Sequence, residues 1–95
     1  MEAVFKRALV KQIPVFKTML DVVPMIEYLV DAEIITPSQG KHLKRVKDGE
    51  KQVVLFRYLQ TIDKNQIERF FDVLGVTKQR HIANKFIRYM SGYHH

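Results

Sequence analysis

From Val4 to Met90, apolar residues recur three and four positions apart, the spacing of helices that each bury one face. In the first segment Val4, Phe5, Ala8, Leu9, Phe16, Met19 and Leu20 share a broad face, and Lys6, Arg7, Lys11 and Lys17 take the other. Pro14 lies inside this segment. It removes one backbone donor and crowds the preceding turn, which predicts a kink or break near Ile13. No alternating strand pattern competes, apart from the short run Val53-Val54-Leu55. The expected fold class is therefore all-α.

The punctuation between apolar stripes divides the rest of the chain. Asp21 is expected to cap a second helix that buries Met25, Ile26, Leu29 and Val30 and stops by about Glu33. Glu27 and Asp31 then stand four apart on its open side. Thr36-Pro37 reads as the N-cap and first position of a third helix. That helix, Pro37 to about Lys47, offers only Leu43 and Val46 to a core, so it should be short and weakly packed, with Asp48-Gly49 ending it. A fourth helix carries Val54, Leu55, Tyr58, Leu59 and Ile62. Asp63 caps a fifth, with Ile67, Phe70, Phe71 and Leu74 inward and Gly75 at the C′ position, where positive φ costs glycine little. Thr77 caps a sixth, with Ile82, Ala83, Phe86, Ile87 and Met90 inside. The result is six short antiparallel helices with brief loops, and a core centred on Leu59, Phe70, Phe71, Leu74, Ile82 and Phe86.

Residue content narrows the chemistry. The chain has no cysteine, so disulfides and thiolate sites are excluded. Apolar residues make up 46%, enough for one modest core and against disorder. Residues 1–93 are expected to form a single domain, with His94 and His95 set apart as a candidate tag remnant. No apolar run approaches the roughly 20 residues that span a bilayer. Lys6, Arg7 and Lys11 interrupt any signal-peptide layout. The expectation is a soluble intracellular chain with no membrane partner. Ser38 and Ser91 lie outside nucleophile motifs, His42 and His81 are isolated, and neither ligand-spaced clusters nor a glycine-rich phosphate loop occurs. No enzyme activity, metal or cofactor is expected.

Charge is the remaining signal. The net charge is +6. Like charges four apart on a helix destabilise it by about 0.2–0.5 kcal/mol. Arg7/Lys11, Glu27/Asp31, Lys41/Arg45 and Glu68/Asp72 all have that spacing. The first and third helices are basic and the second is acidic. Such segregation suits complementary docking, although each patch could equally serve solubility. A basic helical domain that binds nucleic acid is the alternative, on the strength of the Lys41–Lys51 cluster. Against it, no helix-turn-helix signature or exposed stacking platform is evident.

The order of these features resembles the death-fold superfamily, and within it the caspase recruitment domain (CARD), over about residues 3–91. "MIEYLVDAEIITPSQ" is similar to the second CARD helix, its acidic-aliphatic turn and the Thr-Pro start of the third. "LFRYLQTIDKNQIERFFDVLGVTKQRHIANKFI" resembles helices four to six, with Phe70 and Phe71 at a characteristic aromatic position. The proline-interrupted first helix also suits that family. Death effector domains differ in an Arg-x-Asp-Leu motif missing here, and death domains in a core tryptophan, also missing. The resemblance implies a six-helix death fold with a kinked first helix. It implies a cytoplasmic, non-enzymatic adaptor of apoptotic or innate immune signalling, assembling by CARD–CARD contacts with another CARD protein or itself. The basic side would be Lys6, Arg7, Lys11 and Arg57, and the acidic side Glu27, Asp31 and Glu33. The third helix departs from the family pattern. Lys41, Lys44, Arg45 and Lys47 stand where acids are usual, and they form a second basic surface with room for a different partner.

Overall fold

A computed structural model of the protein describes residues 2–92. Its helices are α1 (Glu2–Lys11), α2 (Ile13–Met19), α3 (Ile26–Asp31), α4 (Pro37–Arg45), α5 (Lys51–Leu59), α6 (Lys64–Val76) and α7 (Arg80–Gly92). Short 3-10 turns at Val23–Met25 and Asp48–Glu50 lead into α3 and α5. No strand occurs among the described residues. Met1, the end of the chain from residue 93 and the His94–His95 reading lie outside them.

The first helical segment is two helices. Pro14 is the second residue of α2, where its missing N–H leaves no intrahelical bond unmade. Backbone bonds Gln12 N–H to Ala8 O (2.9 Å) and Phe16 N–H to Gln12 O (2.9 Å) carry the chain through the break. The break re-sets the helical register. Phe16 stays buried, but Met19, expected inside, turns outward and is 48% exposed.

Two of the four expected N-caps form. The Thr36 hydroxyl accepts from Gln39 N–H (3.1 Å), and the Gln39 side chain accepts from Thr36 N–H (2.9 Å). Asp63 and Gln66 repeat this reciprocal box at the start of α6, both bonds at 2.9 Å. Asp21 is not a cap, because the third residue after it is Pro24, which has no N–H to donate. Its backbone instead joins the Gln79 side chain: Asp21 N–H donates to Oε1 (2.7 Å), and Asp21 O accepts from Nε2 (3.0 Å). Thr77 does not start the last helix either. It closes α6, its hydroxyl donating to Val73 O (2.8 Å).

Gly75 is not the C′ residue of α6. The helix runs on to Val76, and Lys78 takes that position with φ 63°. Lys78 N–H bonds Gly75 O (3.1 Å) and Gln79 N–H bonds Leu74 O (2.7 Å), a Schellman closure. A left-handed non-glycine residue costs about 1–2 kcal/mol. Ending one turn later lets Gln79, only 5% exposed, reach Asp21, so tertiary hydrogen bonds decide where the helix stops. The end of α3 is built the same way. Glu33 sits at φ 59°, with Glu33 N–H on Val30 O (3.0 Å) and Ile34 N–H on Leu29 O (2.9 Å).

One core joins the helices, and all six phenylalanines take part in it. Phe5 of α1 stacks on Phe86 of α7 at 5.8 Å and meets Phe70 of α6 edge-on at 5.9 Å. Phe16 meets Phe86 edge-on at 5.8 Å and Phe56 of α5 at 6.3 Å. Leu59, Phe70, Leu74, Ile82 and Phe86 are buried as expected. Phe71 is only partly buried, and Ile87 is 47% exposed. Each lies one residue, about 100°, beyond a core phenylalanine and so at the edge of its stripe. Contrary to expectation, α4 is closely packed. Gly40 is buried, and a Cβ there would come within 2.7 Å of Val30 Cγ2 on α3. Glycine, not an apolar stripe, brings these two helices together. The α4 helix also ends earlier than expected, at Arg45.

Candidate interaction surfaces

Lys51, at the start of α5, has only 6% of its side chain exposed. Its Nζ donates to Leu43 O and Val46 O, both at 2.7 Å, and to Lys44 O at 3.3 Å. These carbonyls belong to the last turn of α4 and the residue after it, where a cation also meets the negative end of the helix dipole. Asp48 Oδ1 adds an ion pair at 3.8 Å. Lys51 thus leaves the Lys41–Lys51 cluster and becomes structural. Lys41, Arg45 and Lys47 remain exposed, with no ion pair or side-chain hydrogen bond among the described residues.

The acids of α3 are exposed, and Glu27 pairs with Lys44 of α4. The two side chains are 70% and 56% exposed, so solvent screening holds the pair to about 0–1 kcal/mol. The α4 cation thus partly neutralises the acidic surface from within the same molecule. Asp31 has no ion pair among the described residues. Glu33 is exposed, but its backbone O accepts from Gln66 Nε2 (2.8 Å), which ties the turn after α3 to α6. Arg69 Nη1 likewise donates to Ala32 O (3.1 Å) and closes the end of α3. The expected acidic residues therefore sit on a pinned element. Tyr28, which sequence reasoning passed over, lies between Glu27 and Asp31 and is 49% exposed.

On the basic side, Lys6, Arg7 and Lys11 are exposed on α1. Arg57, exposed on α5, does not stand alone. It lines a cleft of about 250 Å³ between α2 and α5 together with Lys17, a cation missing from the expected patch. Phe16, Val53 and Phe56 form its apolar lining, and Ile13, Gln52 and Gln60 complete it. Gln52 Nε2 donates to Leu20 O (3.0 Å), while its Oε1 is buried with no hydrogen-bond partner among the described residues. An unpaired buried acceptor costs about 1–3 kcal/mol. Neither Lys17 nor Gln52 could be assigned to the cleft from sequence, because α2 and α5 are far apart in the chain and meet only through tertiary packing.

Among the described residues no group of three or more His, Cys, Asp or Glu is placed to hold a metal ion, and no helix is long and apolar enough to cross a membrane. No protein-family model, curated protein or solved structure matches the chain.

Proposed function

We propose that the chain is a non-enzymatic, CARD-like protein-interaction module of the cytoplasm that docks like to like in apoptotic or innate immune signalling. The observation that carries this reading is the separation of exposed charge. Lys6, Lys11, Lys17 and Arg57 form no ion pair among the described residues, and neither does Asp31. The acids project from α3, the cations from α1, α2 and α5. Complementary charge left unsatisfied within one copy is available to another. The break between α1 and α2 and the Thr36 cap opening α4 fit the CARD resemblance in the sequence. The Lys44–Glu27 pair is weak enough for an incoming cation to exchange with it.

Reversing the acidic side tests the reading. Glu27→Lys with Asp31→Lys should abolish association with a CARD partner while helix content by circular dichroism stays unchanged. Undiminished association would remove α3 from the interface. Nucleic-acid binding stays as a second reading because Lys41, Arg45 and Lys47 are exposed and form no ion pair among the described residues. On that reading, affinity for short duplexes should fall linearly with salt on a log–log plot.

A further inference from the structure

The cleft between α2 and α5 has features that charge docking does not explain. Its volume, about 250 Å³, is below the roughly 300–1,000 Å³ of small-molecule pockets and suits a single inserted side chain. Aromatic and aliphatic groups line it, and Lys17 and Arg57 stand beside it. The matching side chain needs a large apolar body and acids beside it. Among the described residues the large exposed hydrophobic ones are Val10, Met19, Val23, Tyr28, Val76 and Ile87. Of these only Tyr28 is an aromatic ring flanked by acids on its own helix. Its hydroxyl makes no hydrogen bond among the described residues, and Glu27 and Asp31 lie one position before and three after it.

We infer that the cleft receives Tyr28 from a second copy of this chain. The ring packs against Val53 and Phe56, and Glu27 and Asp31 of the incoming copy face Lys17 and Arg57. Tyrosine suits this role because it buries a large rigid ring and keeps one polar handle. The contact joins two different surfaces, so each copy retains a free cleft and a free Tyr28, and addition continues head to tail. The inference rests on the like-to-like docking proposed above and adds the anchor and its socket.

The test uses the whole chain in sedimentation velocity. The wild type should form concentration-dependent oligomers. Tyr28→Ala should weaken association at least ~30-fold, as truncating an interface hot spot does. Gln60→Trp, at an exposed cleft residue, should block the socket and leave Tyr28 intact. The Tyr28→Ala and Gln60→Trp chains should each be monomeric alone and form a 1:1 dimer, and nothing larger, when mixed. A mixture that stays monomeric while the wild type assembles overturns the inference, as does a Tyr28→Ala chain that assembles normally. If Glu27→Lys/Asp31→Lys abolishes assembly but Tyr28→Ala does not, charge docking stands and the anchor falls. A wild type that stays monomeric at every concentration removes the second copy as occupant and leaves docking to a different CARD untouched.

Discussion

Gly75 shows how a single residue can be read with the wrong sign. From the sequence it looks like a helix terminator, and at a positive φ an alanine would be strained. In the structure Gly75 lies inside α6, its φ is not positive, and a Cβ there would meet nothing within 4 Å. Gly75→Ala should therefore stabilise the protein by about 0.8–1 kcal/mol through helix propensity. A urea titration of both chains measures this, and a loss of stability would restore Gly75 to the C′ position. Lys78, which holds that position, was unreadable because lysine carries no preference for left-handed backbone. Residues whose capping role is local, Thr36 and Asp63, were legible because each cap and its Gln partner lie three positions apart in the chain. Gln79 and Asp21, 58 positions apart, were not.

The same contrast holds between elements. The apolar stripes of α6 and α7 located both helices and most of their buried residues, because burial of one face is written into the period. The packing of α4 was illegible, since it depends on a glycine against Val30 and a lysine from another helix. Lys51→Met keeps much of the aliphatic stem and removes the ammonium that serves Leu43 O and Val46 O. Hydrogen bonds to a charged group contribute about 1.5–3 kcal/mol each and are not additive, so a loss of about 2–4 kcal/mol is expected in denaturant. Amide exchange should speed up first at the C-terminal turn of α4. A loss below about 0.5 kcal/mol, the range of an ordinary surface change, would contradict a structural role for Lys51.

At the scale of the whole molecule, the sequence showed which helices carry each charge but not which charges would be spent internally. Lys44 is engaged with Glu27 and Lys51 with backbone carbonyls, whereas Arg57 is joined at the α2–α5 cleft by Lys17, which the sequence placed on the polar face of the first segment. These are outcomes of packing, and periodicity within one helix cannot report them. The central claim is that the acids of α3 on one copy meet the cations of α1, α2 and α5 on another. The most direct measurement is sedimentation velocity of two charge-reversed chains, Glu27→Lys/Asp31→Lys and Lys11→Glu/Arg57→Glu, separately and as an equal mixture. Each chain alone has lost the attraction between its two surfaces at the reversed positions and should sediment as a monomer. The mixture restores opposite charge between the reversed positions and should co-assemble, less so as salt rises. Monomers in all three samples under conditions where the wild type assembles, or assembly of either reversed chain alone, would contradict the account.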